Sequence, residues 1–69
     1  MAFEQKYVQY GLAKVVDGNV YLYYDQFNYF PIYIGNAVNA MWAGNELNVF
    51  CANGEVRRYD DVFHYVNIY

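Results

Sequence analysis

Three dipeptides, Asp17-Gly18, Gly44-Asn45 and Asn53-Gly54, cut the chain into short runs in which side chains alternate and Val, Leu, Tyr and Phe recur. Asp-Gly, Gly-Asn and Asn-Gly pairs supply the positive-φ residues that tight hairpin loops require. β-Branched and aromatic residues suit the pleated, half-buried surfaces on either side. This punctuation predicts antiparallel hairpins, with strands at about 12–16, 20–25, 37–43, 46–52, 55–59 and 64–69. Residues 5–10 offer a further N-terminal strand. The expected fold class is all-β: a small antiparallel meander of five to six strands, curled into one sheet or a small open, SH3-like barrel, with dimerisation as a way to complete it.

Each turn implies a register. A two-residue loop at Asp17-Gly18 sets Val15 opposite Val20 and Ala13 opposite Leu22, leaving Lys14, Tyr21 and Tyr23 on the other face. Gly44-Asn45 sets Trp42 opposite Leu47, Ala40 opposite Val49 and Val38 opposite Cys51, with Met41, Asn48, Asn39 and Phe50 outside. A one-residue slip would invert every side chain, so both registers are strongly specified. A two-residue loop at Asn53-Gly54 fits less well. Cys51 meets Val56, but apolar Val49 then meets Arg58 and Phe50 meets Arg57. A bulge near Arg57-Arg58-Tyr59 is the expected remedy. The stretch 13–23 loosely echoes 40–50, a pattern that duplication or a shared hairpin rhythm would both produce.

Gln26 to Ile34 break the rhythm. Pro31 cannot donate to a sheet ladder, which predicts a loop or an exposed edge, with Tyr29, Phe30, Tyr33 and Ile34 as an aromatic lid. No segment reads convincingly as helix. Residues 60–66 are the best candidate, but their alternation favours a strand.

At 69 residues the chain makes one domain, and only about 60% of the unfolded surface is buried at this size. Aromatic residues, 23% of the chain, supply the bulk that so short a core needs. Cys51 is the only cysteine, which excludes an internal disulfide and favours a reducing compartment. No apolar run is long enough to span a membrane, and the N-terminus lacks the order of a signal peptide, so cytoplasmic residence is expected. Four basic against seven acidic residues, a formal net charge of -3, argue against direct nucleic-acid binding.

No catalytic, metal or cofactor motif stands out, and no enzyme activity or cofactor is expected. Cys51 falls on an apolar face, where it acts as a small hydrophobe rather than as a partner for His64. The adjacent Asp60 and Asp61 lack the spaced oxygens of a cation loop. Arg57 and Arg58 read as a solvated ribbon, Arg57 on Phe50 and Arg58 paired with Asp60. Outer-face aromatics carry the functional expectation, since contiguous exposed aromatic surface marks interaction sites. Tyr21, Tyr23, Tyr33, Phe50, Arg57 and Tyr59 form the candidate interaction surface.

The stretch Leu47 to Asp60 resembles the hairpin of certain small bacterial domains of unknown function, and that likeness implies no activity. The leading expectation is a non-enzymatic protein-interaction module that self-associates, as a dimer, through an aromatic face or a sheet edge. Alternatives are a small acidic inhibitor or decoy of the kind phages and mobile elements direct at host nucleic-acid enzymes, and sugar or small-ligand binding through exposed tyrosines.

Overall fold

The computed structural model describes residues 2–69 and contains one short helix and seven strands. β1 (Leu12–Val16) and β2 (Asn19–Tyr23) form the first hairpin. Positive φ at both Asp17 and Gly18 gives the loop the twist that right-handed strands demand. The register is the expected one, with Val15 opposite Val20 and Ala13 opposite Leu22. Val20 and Leu22 are fully buried, while Tyr21 and Tyr23 turn the other way.

The lid expected over 26–34 instead contains a strand. β3 (Tyr29–Ile32) pairs antiparallel with β2, placing Tyr29 opposite Tyr23 and Pro31 opposite Tyr21. Pro31 is accommodated because β3 is the edge of its three-stranded sheet, one of the two places anticipated for it. The bend before β3 is closed by Asp25, whose Oδ1 accepts the N–H groups of Phe27 and Asn28, both at 2.8 Å.

β4 (Ala37–Ala43) and β5 (Glu46–Cys51) form the second expected hairpin, with Trp42 opposite Leu47 and Ala40 opposite Val49. A bulge between Ala37 and Asn39 changes its far end. Ala37, not Val38, pairs with Cys51 and enters the core, and Val38 is exposed. The two echoing stretches are thus the opening hairpins of two separate sheets.

β6 (Val56–Asp61) and β7 (His64–Asn67) complete a four-stranded sheet in the order β4-β5-β6-β7. Here the sequence register is off by one. Phe50 pairs with Val56, Val49 with Arg57 and Leu47 with Tyr59. The loop is longer than two residues: Cys51 donates its N–H to the Glu55 carbonyl and accepts from Gly54. The extra loop residue replaces Arg58 by Arg57 opposite Val49, without a bulge at Arg57. The irregularity lies further on, between Tyr59 and Asp61. The main consequence of the shifted β5–β6 register is that Tyr59, expected outside, is in the core at 3% exposure.

Residues 5–10 are also not a strand. Gln5–Tyr10 is a six-residue helix, α1, ended by Gly11 in the left-handed conformation, whose N–H returns to the Tyr7 carbonyl. A helix this short is not stable alone and depends on what it buries. Phe3 and Tyr7 are both buried, Phe3 edge-on to Trp42 at 5.0 Å and Tyr7 edge-on to Tyr24 at 5.7 Å. Together with Val20, Leu22, Leu47, Val49 and Tyr59 they make one core between the sheets.

The sheets meet along β1 and β4. No ladder hydrogen bonds join β1 to β4 or β3 to β7 among the described residues, so the strands form two sheets rather than one closed barrel. The joint is made by the first turn. The Gly18 carbonyl accepts the N–H groups of Gly35 and Ala37, both at 2.9 Å. Asn19 Oδ1 accepts those of Ile34 and Gly35 at 2.9 and 3.0 Å.

That joint leaves no space for a side chain at Gly18, where a Cβ would lie 2.3 Å from the Gly35 oxygen. Gly44 also has positive φ, but a Cβ there meets nothing within 4 Å. Gly44→Ala is expected to cost about 1–2 kcal/mol for its backbone conformation alone. Gly18→Ala is expected to cost at least about 2 kcal/mol more, since it combines that strain with a steric clash. Urea unfolding of the two variants checks this, and equal costs would show that the joint yields freely.

Candidate functional site

The six residues singled out from the sequence lie in three places. Tyr21 and Tyr23 share the outer face of the three-stranded sheet, because alternation turns both away from Val20 and Leu22. Cross-strand pairing adds Tyr29. It stacks on Tyr21 at 4.3 Å with the rings 5° from parallel and leans on Tyr23 at 5.3 Å. Lys14 Nζ lies 5.4 Å from the centre of the Tyr23 ring. These rings largely contact one another, and burial followed by the Tyr29 and Tyr33 phenols raises the pKa of Tyr21.

Phe50 lies on the outer face of the other sheet, paired with Asn39 and Val56. Arg57 does not stack on it. The shifted register carries Arg57 and Tyr59 to the inner face, where Tyr59 pairs with Tyr65 of β7. The Tyr59 and Tyr65 ring centres are 4.9 Å apart.

Tyr33, Arg57 and Tyr59 come together in an open cleft of about 260 Å³. Ile32 and Tyr33, at the end of β3, form one side. Arg57, Tyr59, Val62, Phe63 and Tyr65, from the β6–β7 hairpin, form the other. Phe30 meets Phe63 edge-on across the gap at 6.1 Å. The cleft lies where the two sheets are not hydrogen-bonded to each other. Its mouth carries two highly exposed rings, Tyr33 at 78% and Phe63 at 84%.

Arg57 is the cation of this cleft. Its Nε donates to Glu55 Oε1 at 2.7 Å, its Nη1 reaches the Tyr59 hydroxyl at 3.4 Å, and its Cζ lies 4.4 Å from the Tyr65 ring centre. Burial alone would lower its pKa, but the hydrogen bonds to Tyr59 and Glu55 outweigh it and hold the guanidinium above its ordinary value. Burial raises the pKa of the Tyr59 phenol despite the neighbouring arginine. The site therefore pairs a permanent cation with a neutral hydroxyl inside aromatic walls.

The remaining titratable groups are dispersed. A second cavity of about 160 Å³ on the outer face is lined by Glu46, Arg58, Asp60, His64 and Val66. His64 Nδ1 lies 2.6 Å from Asp60 Oδ1, and this contact lowers the Asp60 pKa. Arg58 pairs with Glu46 at 3.6 Å rather than with Asp60. Cys51 is buried in the core, which pushes its thiol up, while His64 is exposed. Asp25 lies in the bend between β2 and β3, whereas Asp60 and Asp61 are in β6 of the other sheet. Among the described residues, no group of three or more His, Cys, Asp and Glu is placed to hold a metal ion. No described helix is long and apolar enough to cross a membrane.

No family model matches this chain, nor does any curated protein or solved structure.

Sequence reasoning missed Phe63, Tyr65, Ile32 and Val62 as companions of Arg57 and Tyr59. The misfit of Val49 against Arg58 was the available signal. Moving β6 by one residue sets Arg57 rather than Arg58 opposite Val49 and brings Arg57, Tyr59 and Tyr65 to one face.

Tyr7, Tyr21 and Tyr59 all have raised pKa values, with burial as the first cause. The folded state therefore favours the neutral phenol. The associated stability is complete below the unfolded value of about 10 and is lost as pH rises through the folded values. Urea unfolding from neutral pH to above about pH 10 should show this loss, with a smaller alkaline decline in Tyr59→Phe. At neutral pH the same substitution should cost no more than about 1 kcal/mol, given the long Arg57 contact.

Proposed function

We propose that this small β-rich domain with surface aromatic clusters is a non-enzymatic protein-interaction module. In this reading it self-associates by pairing β7 with β7 of a second copy. The observation that carries the reading is the unprotected state of that edge. Every residue of β7 is exposed, and β7 is the last strand of its sheet.

Sheet edges in monomeric proteins are commonly blunted by lysine, proline, a bulge or a covering element. β3 carries Pro31, and β1 carries Lys14 and packs beside β4. The segment from Phe63 to Tyr69 contains no Lys, Arg, Pro, Asp or Glu. Antiparallel pairing of two β7 strands about a two-fold axis would satisfy the open ladder on both copies and extend each sheet. Val66 and Ile68, both exposed, would gain cover on the outer face. A reducing, cytoplasmic setting belongs to the same proposal and suits the single buried thiol of Cys51.

Ile68 donates its N–H to Val56 of β6 at 2.9 Å, so alternation turns the Asn67 N–H outward. Asn67→Pro should therefore block the edge while sparing the β6–β7 ladder. Sedimentation from low to high micromolar concentration is expected to show a dimer for the natural chain. Asn67→Pro and Asn67→Lys should sediment as monomers with unchanged far-ultraviolet dichroism. A natural chain that remains monomeric at high micromolar concentration would overturn the β7 reading.

A further inference from the structure

We propose that the cleft between β3 and the β6–β7 hairpin is a binding site for a small planar aromatic monocarboxylate, its acid group on Arg57 and its ring against Tyr33 and Phe63. The proposal is independent of self-association, because the cleft is lined by side chains and strand pairing uses backbone groups.

The guanidinium has donors to spare. Nε is taken by Glu55 and Nη1 makes only the long contact to Tyr59, while no hydrogen bond among the described residues uses Nη2. The Nη1–Nη2 end of an arginine matches the two oxygens of a carboxylate. Tyr59 accepts from Arg57 through its oxygen, which leaves its own proton for the same ligand. Tyr65 lies under the guanidinium and keeps it in place.

Charge selects the class of anion. Glu55, 2.7 Å from Nε, already balances the one cation of the cleft. A dianion such as a phosphate monoester would meet a pair that is neutral overall, in a chain of formal charge -3. A monoanion that forms two parallel hydrogen bonds is the better match. Size selects a single small ring system. The volume of about 260 Å³ falls below the range of roughly 300–1,000 Å³ for pockets that hold drug-sized ligands. The highly exposed Tyr33 and Phe63 provide ring faces at the mouth, and Ile32 and Val62 add apolar wall.

The test is a titration of ¹⁵N-labelled full-length chain, followed by amide chemical shifts, with benzoate, 4-hydroxybenzoate and indole-3-acetate. Benzamide, phenyl phosphate and acetate are the comparisons: a neutral isostere, a dianion and an acid without a ring. The aryl carboxylates are expected to give saturable shifts at residues 32–33, 57–59 and 62–65, with each comparison weaker by about tenfold or more. Arg57→Lys, which keeps the charge and loses the fork, should weaken benzoate by about tenfold. Phe63→Ala removes a highly exposed ring and so reports on binding without threatening the fold; it should weaken benzoate severalfold. Benzamide or acetate binding as well as benzoate would overturn the proposal. So would phenyl phosphate binding more tightly, or benzoate shifts unaffected in both variants or centred outside the cleft. An acidic peptide that shifts the same amides at lower concentration than any aryl carboxylate would assign the cleft to a protein partner instead. The titration reads the cleft in monomer or dimer, so its failure is distinct from failure of the β7 reading.

Discussion

The carbonyl oxygen of Gly18 holds the two halves of the molecule together. It accepts two N–H groups from the 35–37 segment, and Asn19 Oδ1 accepts two more from 34–35. Backbone groups in so tight a crossing cannot stay unpaired at low cost, and here one hairpin turn satisfies them. Because the crossing is pinned at the β1–β2 turn, β1 packs beside β4 and the two sheets enclose a common core. The far strands of the two sheets, β3 and β7, are each left with one unpaired edge. The cleft and the open edge both follow from that asymmetry.

A chain of this size must build its core from few side chains, and it does so by spending aromatics in distinct ways. Phe3, Tyr7 and Tyr59 fill the interior, where each buried ring contributes far more area than an aliphatic residue. Tyr21, Tyr23 and Tyr29 cover one another on an outer face. Tyr33, Phe63 and Tyr65 surround Arg57 at the cleft. The last group alone combines exposure, concavity and a charge.

The first two hairpins were legible because everything that sets them is local. The loop residues fix the pairing, the alternation fixes the buried face, and the two agree over several positions. The Ala37–Cys51 pair departs from that reading because a bulge at Val38 lets the strand bend toward the joint, which lies outside the hairpin. The β5–β6 register was ambiguous for a different reason. Asn53-Gly54 suits a two-residue loop or a longer one, and the choice depends on whether Tyr59 or Arg58 can be housed inside. The helix was illegible because six residues with one buried position carry almost no period. Only Phe3 and Tyr7, four apart and ahead of Gly11, hinted at it.

Short-range turn chemistry and alternation carry enough information to specify an antiparallel, aromatic-rich β domain with two well-set hairpins. Tertiary structure decided which side of β6 faces inward, that the segment around Pro31 forms an edge strand, and that the N-terminal residues coil into a helix. Each of those outcomes depends on whether a side chain finds burial against a strand distant in the chain. The candidate site belongs wholly to that second group. Arg57 and Tyr59 become its centre only when Tyr65 from β7 and Tyr33 from the end of β3 are folded around them.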